Sequence, residues 1–335
     1  MKPVIFGLSG PVLKSEERSF FAAADPVGYI LFGRNIVDRA QLRVLTDALR
    51  TIHGRDDLPI LIDQEGGRVL RLAPPVWPAM PAAEVFDALY ERAPISALEA
   101  VRVNARAIGL TLAEVGINVN IAPVLDLRRD DTHAAIACRS FGTDPVRVAS
   151  MGAAMLDGLR AAGVVGVIKH MPGQGRATVD THHHLPVVAA SEAELADDLL
   201  PFQRMHDAPM ALTGHVIFSA WDTEHPATMS ATIIRDIIRG QIGFGGLLMS
   251  DDLDMAALSG DIASRALACL EAGCDVALHC SGKMDDMIAI AEAVPDMTAR
   301  ASERLVAAMV AITPASDFDT IPALIAKRDE LLALV

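Results

Sequence analysis

Residues 144–170, DPVRVASMGAAMLDGLRAAGVVGVIKH, hold one unit of a pattern that repeats along the chain. The first twenty residues are amphipathic, open with Asp and close with Gly, as helices with an N-cap and a C-terminal glycine commonly do. The apolar run GVIKH follows after two valines. Such runs alternating with helices are typical of a parallel sheet that helices cover on both faces.

The same alternation extends over the whole sequence. Amphipathic helices are also predicted at 38–54, 96–116, 191–208 and 263–273. The apolar β-rich runs are 4–8, 28–32, 60–63, 117–127, 166–170, 210–216, 246–252 and 275–280. Eight units of this kind predict a (β/α)8 TIM-type barrel, with an open doubly wound sheet as the alternative. The absence of a Gly-rich phosphate loop after the first run disfavours dinucleotide binding.

The rest of the chain predicts one domain, residues 1–335, with no linker or repeat. The Pro-rich segment 71–88 predicts a loop, and residues 315–335 predict an extra C-terminal helix packed outside the barrel. The net charge of −14 argues against nucleic-acid or anionic-membrane partners. The N-terminus lacks a signal-peptide pattern, and the four cysteines lack CxxC spacing. We therefore expect a cytoplasmic protein without a membrane partner.

Polar residues follow several of the predicted strands, where a barrel of this kind carries its active site. The candidates are Asp63, Arg71, Arg139, Lys169, His170 and Asp251. Nearby lie Glu65, Asp126, His215, Asp252 and Asp254. A lone Asp after a strand is often a helix cap, as Asp252 or Asp254 could be, and His215 could be a hydrogen-bonded core histidine. Charged groups at so many strand ends nevertheless favour an active site, because gathering charges in one place is costly.

Two chemistries fit these residues, and the stretch KHMPGQGRATVDTHHHLP, 169–186, distinguishes them. In metal-assisted hydrolysis, the ligands would be drawn from His170, His182, His183, His184, His215 and Asp251. Adjacent histidines are poor joint ligands, however, because neighbouring side chains usually diverge. In glycosyl transfer, Asp251 would attack an anomeric carbon, and His182, oriented by Asp180, would be the acid and base. The remaining candidates would bind sugar hydroxyls and an N-acyl carbonyl.

Five motifs in order carry a family resemblance. They are LIDQEGGRVLRL (61–72), GINVNIAPVLDL (116–127), RSFGTDP (139–145), KHMPGQG with VDTHHHLP (169–186) and GGLLMSDDLDM (245–255). Together they resemble the β-N-acetylglucosaminidases of glycoside hydrolase family 3, in particular the bacterial cytoplasmic enzymes of peptidoglycan recycling. The resemblance implies removal of non-reducing terminal GlcNAc from muropeptides, such as GlcNAc-1,6-anhydro-MurNAc with or without peptide. It also implies retention of configuration through a covalent glycosyl-enzyme.

The resemblance also implies roles for individual residues. Asp251 corresponds to the nucleophile, His182 to the acid/base and Asp180 to its orienting partner. The sugar-binding positions correspond to Asp63, Arg71, Arg139, Lys169 and His170. No metal, organic cofactor or obligatory protein partner is implied.

Three residues of the 169–186 stretch depart from the family pattern. Met171, Gln174 and Arg176 replace a common Phe, His and Asp in the loop that must position His182. An imidazole acid also repels a phosphate nucleophile less than a carboxylate would, so a β-N-acetylglucosaminide phosphorylase is the alternative activity. A catalytically inactive sugar-binding protein would be expected to lack Asp251 or His182, and both are present.

Overall fold

The computed structural model describes residues 1–181, 183–310 and 319–334. In this part of the chain, parallel strands close into one eight-stranded barrel in which each strand lies beside its neighbours in the chain. The strands are β1 Lys2–Gly7, β2 Pro26–Leu31, β3 Ile60–Ile62, β4 Val119–Asn120, β5 Val165–Met171, β6 Met210–Thr213, β7 Leu247–Asp252 and β8 Val276–His279. Because β1 pairs with both β2 and β8, the sheet has no edge. The predicted barrel is confirmed, and the open-sheet alternative is wrong.

Helices surround the barrel. They are α1 Ser15–Ala24, α2 Arg39–His53, α3 Ala83–Arg92, α4 Pro94–Glu114, α5 Ala134–Ala137, α6 Pro145–Ala161, α7 Glu192–Arg204, α8 Ile262–Ala272, α9 Met284–Ala293, α10 Ala299–Val310 and α11 Ile321–Leu332, with a π-helix at Ile233–Gln241. Single 3-10 turns lie at Gly33–Asn35 and Ala227–Met229. Two short strand pairs lie outside the barrel sheet. One pairs Gln64–Gly66 with Val69–Leu70, and the other pairs Val187–Val188 with Ile217–Phe218. By length and hydropathy, none of the helices in the described residues qualifies to cross a membrane.

The continuous apolar runs are explained by burial on both faces of the barrel wall. Along β1, Ile5 belongs to a cluster to which every barrel strand contributes, and which therefore fills the interior. Its neighbours Val4 and Phe6 belong to the layer between the strands and the helices. Since successive strand residues point to opposite faces, both alternating sets must be apolar.

Two predicted segments need correction. The loop predicted over 71–88 is wrong from Ala83, where α3 begins and buries Phe86 and Leu89. The prolines of this segment all precede the helix, where proline is tolerated. The strand predicted over 117–127 keeps regular pairing only at Val119–Asn120. Pro123 has no N–H to donate, so the chain continues irregularly to Asp126, with a single bridge from Val124 to Lys169.

The C-terminal helix α11 packs against α4, outside the barrel, as predicted. Arg328 of α11 donates to Asn104 Oδ1 of α4 at 3.0 Å. Residues 315–318 and 335 of the predicted helical segment lie outside the described residues.

Candidate active site

A cavity of about 270 Å³ opens at the carboxyl ends of the strands. Its wall includes predicted site residues that are far apart in the sequence. They are Asp63, Arg71, Arg139, Lys169, His170, Asp180 and Asp251. The structure therefore brings together every predicted site residue that it describes, and His182 lies outside the described residues. Their catalytic and binding roles stay predictions.

Lys169, near the end of β5, is a buried cation between two carboxylates. Its side chain is 2% exposed, and its Nζ lies 2.9 Å from Asp63 Oδ1 and 2.5 Å from Glu65 Oε1. A buried ammonium group persists only when it is paired, because its desolvation is costly. Arg71 approaches the other oxygen of Asp63 at 3.7 Å. The pairing holds the ammonium group and the Asp63 carboxylate at the cavity wall.

Glu65 links this pair to Arg139. The Arg139 guanidinium donates to Glu65 through Nε at 2.8 Å and through Nη2 at 2.7 Å. Burial alone would raise the pKa of Glu65, but Arg139 and Lys169 together bring it well below its usual range. Glu65 therefore stays ionised and supports two of the predicted sugar-binding cations. The sequence places Glu65 beside Asp63, but no role was predicted for it.

Asp126 orients His170. This fully buried carboxylate accepts from His170 Nδ1 at 2.6 Å, and its other oxygen accepts from the backbone N–H of Gln174 at 2.7 Å. A carboxylate only accepts, so Nδ1 carries a proton, and Nε2 is the ring nitrogen left to contact a ligand. Asp126 was predicted to lie at a strand end, but no site role was predicted for it.

Asp251, near the end of β7, has the properties of a nucleophilic carboxylate. Its side chain is largely buried at the cavity wall, and its Oδ1 accepts from the backbone N–H of Asp252 at 2.8 Å. Burial acts to raise the pKa of Asp251, but the imidazoles of His215 and His170 and this N–H outweigh it and lower the pKa. The carboxylate is therefore ionised, as a nucleophile must be.

His215 supports the peptide that follows Asp252. Its Nε2 lies 2.9 Å from the carbonyl oxygen of Asp252, and its Nδ1 lies 2.8 Å from the Thr228 hydroxyl. Since a carbonyl only accepts, Nε2 carries a proton, and the Thr228 hydroxyl, which also donates to the carbonyl of Gly214 at 3.1 Å, is the partner of Nδ1. Burial lowers the pKa of His215, and the nearby Asp251 carboxylate acts in the opposite direction. His215 is thus the hydrogen-bonded core histidine that was one of its two predicted possibilities.

Asp252 differs from its neighbour Asp251. Burial raises the pKa of Asp252 to about 6. Its Oδ1 accepts from the backbone N–H groups of Asp254 and Cys280, each at 3.1 Å. The helix cap predicted for Asp252 or Asp254 is wrong, because Asp261 caps α8. Two adjacent acids therefore have pKa values shifted in opposite directions, a pattern typical of active sites.

The loop between β5 and α7 carries Asp180 at the cavity wall. The backbone N–H groups of His183 and His184 donate to the Asp180 carbonyl at 3.0 and 2.9 Å, and both side chains are exposed. Among the described residues, no three His, Cys, Asp or Glu side chains are grouped so as to hold a metal ion. The described histidines thus lend no support to a shared metal site.

The sequence matches the family model described as the glycosyl hydrolase family 3 N terminal domain over residues 11–312. A relative named β-hexosaminidase from Alkalilimnicola ehrlichii is 38% identical over 284 residues, which is 83% of this chain and 80% of the relative. A family 3 β-N-acetylglucosaminidase from Paenibacillus superposes with a TM-score of 0.87 at 28% identity, covering 98% of this chain and 66% of the other.

A third similar protein is NagZ from Neisseria gonorrhoeae, solved in complex with N-trifluoroacetyl-D-glucosamine. It superposes with a TM-score of 0.87 at 30% identity, and the match covers 99% of this chain and 98% of NagZ. The prediction of a glycoside hydrolase is confirmed. With the family model matching most of its length, and with relatives of this similarity, the chain belongs to glycosyl hydrolase family 3.

Proposed function

We propose that this protein is a retaining β-N-acetylglucosaminidase that removes non-reducing terminal GlcNAc. The observation that carries the proposal is the ionised Asp251 carboxylate at the wall of a cavity that also holds paired, buried charges. The names of the similar proteins, β-hexosaminidase and β-N-acetylglucosaminidase, support the same activity.

In the proposed first step, an Asp251 oxygen attacks the anomeric carbon and the bond to the leaving oxygen breaks. His182, in its imidazolium form and oriented by Asp180, gives its proton to that oxygen. In the second step, water attacks the anomeric carbon of the glycosyl-enzyme, gives its proton to His182, and releases Asp251. Two displacements at one carbon retain its configuration. The role of His182 rests on the family resemblance and on the position of Asp180 at the cavity wall.

The paired charges would bind the sugar. Asp63 and Lys169 offer an acceptor and a donor to adjacent hydroxyls, and His170 Nε2 offers a further hydrogen-bonding atom. Arg71 and Arg139 can donate to hydroxyls or to the N-acyl carbonyl. Because these groups already hold one another by ion pairs, the site needs little rearrangement on binding, which favours affinity.

The proposed natural substrates are muropeptides of peptidoglycan recycling in the cytoplasm, and this part of the proposal rests on the family resemblance. One structural feature supports an anionic leaving group. Arg68 lies at the cavity wall with an exposed side chain, and it donates to the carbonyl of Ala134 at 3.1 Å. A guanidinium in this place would attract the carboxylates that muropeptides carry.

Product analysis on para-nitrophenyl β-GlcNAc, with and without phosphate, tests the activity, the stereochemistry and the acceptor together. We expect β-GlcNAc as the first-formed product in both conditions. The formation of GlcNAc-1-phosphate would identify the alternative phosphorylase instead. The absence of turnover by folded protein, or α-GlcNAc as the first product, would contradict the proposal.

A further inference from the structure

Gln174 lies at the cavity wall, three residues beyond the end of β5 at Met171, and no role has been assigned to it. Its side chain is 4% exposed and lines the same cavity as Lys169 and Asp251. Its backbone N–H donates to Asp126 Oδ1 at 2.7 Å, and the other oxygen of Asp126 holds the His170 ring. One buried carboxylate therefore sets the positions of both Gln174 and a predicted sugar-binding residue.

The Gln174 side chain carries a polar atom that no protein group satisfies. Its Oε1 is buried and has no hydrogen-bond partner within the part of the chain that the structure describes. A Cβ at Gly214 would lie 3.0 Å from this oxygen, so the glycine provides the space that the amide occupies. Buried polar atoms are rarely left unpaired, because the loss of hydration is not repaid. Because the unpaired acceptor belongs to a residue that lines the cavity, it indicates a ligand that donates to it.

We propose that Gln174 is a substrate-binding residue whose side-chain oxygen accepts a hydrogen bond from the bound GlcNAc residue. The inference rests on the proposed function, because the donors of that sugar are its hydroxyls and its acetamido N–H. Either donor would satisfy the oxygen. A site built to accept from a substrate donor discriminates strongly against ligands that lack it, since the buried acceptor then stays unpaired.

The test replaces Gln174 by Met, which keeps the size of the side chain and removes its hydrogen bonding. Gln174→His is the matched control, because a ring nitrogen can still accept. We expect Gln174→Met to lower kcat/KM on para-nitrophenyl β-GlcNAc at least about tenfold, while its thermal midpoint is unchanged or higher, since an unsatisfied atom has been removed. Gln174→His should retain most of the activity.

A second substrate identifies the donor. If the acetamido N–H is the partner, Gln174→Met loses more activity on β-GlcNAc than on the corresponding 2-deoxy-β-glucoside, which has no donor at C2. If a hydroxyl is the partner, both substrates lose the same factor. Wild-type kcat/KM in a folded Gln174→Met variant would overturn the inference, whereas an inactive wild type would overturn the proposed function itself. Should the Met variant not fold, Gln174→Ala gives the same comparison.

Discussion

At the scale of single residues, two adjacent acids on β7 have different pKa values because their environments differ. Asp251 faces the imidazoles of His215 and His170 and accepts an N–H, so its pKa falls despite burial. For Asp252, burial dominates and raises the pKa. Asp251 is therefore ionised at a lower pH than Asp252, whose pKa is about 6, and this difference supports the choice of Asp251 as the nucleophile.

Replacing Asp251 by Asn tests that choice. Asn has nearly the same volume but cannot form the covalent intermediate, so we expect kcat on para-nitrophenyl β-GlcNAc to fall by at least about 10³-fold. Thermal unfolding of the variant checks that the barrel is intact. A folded variant with normal turnover would remove Asp251 from the mechanism.

Asp252 makes the stability of the protein depend on pH. Its pKa is about 6 in the folded state, against 3.8 for an ordinary aspartate. The unfolded chain therefore releases this proton first as the pH rises, so the folded state loses stability between about pH 4 and pH 6, by at most about 3 kcal/mol. Above pH 6 the difference is constant. Below pH 4 both states hold the proton, and the contribution of Asp252 is fully present.

Asp252→Asn isolates this effect, because an amide oxygen can still accept from Asp254 and Cys280. We expect the free energy of unfolding of the variant, relative to wild type, to rise from pH 4 to pH 6 and then level off. Urea unfolding at several pH values measures this difference. A difference that does not change with pH would show that Asp252 has the same pKa in both states.

At the scale of elements, the β5–α7 loop is anchored on both sides of its first turn. Arg176 donates through Nε to Asp198 Oδ2 of α7 at 2.7 Å and through Nη2 to the carbonyl of Glu194 at 2.8 Å. On the other side, the Thr132 hydroxyl donates to the carbonyl of Gly175 at 2.6 Å. Arg176 departs from the residue common in the family, and here it ties the loop that carries Asp180 to the neighbouring helix.

Arg176→Ala should weaken this anchor and disturb proton donation more than sugar binding. A good leaving group needs little protonation, so we expect kcat/KM to fall about tenfold for poor aryl leaving groups and much less for good ones. A series of aryl β-GlcNAc substrates measures the dependence. His182→Ala should show the same dependence more strongly.

Arg160→Ala is the control, since Arg160 forms an exposed ion pair with Asp157 on α6, away from the loop. Equal losses for all leaving groups in Arg176→Ala would contradict a role in positioning the acid.

At the scale of the whole molecule, one end of the barrel carries the candidate active site and the other end contributes to stability. Asp275, just before β8 at the amino ends of the strands, accepts from Arg239 of the π-helix at 2.7 Å and from Arg304 of α10 at 2.8 Å. It also accepts from the backbone N–H of Leu248 in β7 at 2.9 Å. This largely buried carboxylate joins two strands and two helices at the end opposite the cavity.

Asp275→Ala should therefore reduce stability without changing catalysis. Removing it leaves two partly buried cations unpaired, so we expect the free energy of unfolding to fall by about 3 kcal/mol. The kcat/KM of the folded variant should equal that of wild type, in keeping with the division of barrels into a catalytic and a stabilising end. Lost activity with unchanged stability would contradict this division.

Much of the barrel and of the candidate site could be predicted, because both depend on local signals. The strands are buried on both faces, so they appear as continuous apolar runs, and site residues such as Asp63 and Asp251 directly follow or end those runs. The start of α3 and the irregular chain after β4 were not predicted. Both depend on where prolines can be accommodated in the backbone, and the pattern of hydrophobic residues does not predict that.

The sequence by itself determined the barrel, the family and the residues at the strand ends, since periodicity and motif order are properties of the chain alone. The tertiary structure decided which side chains hold the strand-end residues in place. Asp126 holds His170 from 44 residues away, and Lys169 meets Asp63 across 106. The pairing of Glu65, the opposite pKa shifts of Asp251 and Asp252, and the unpaired oxygen of Gln174 likewise depend on burial and on distant partners. Electrostatic energies depend on the distances between charges and on their exposure to solvent. Only the folded chain holds both at fixed values.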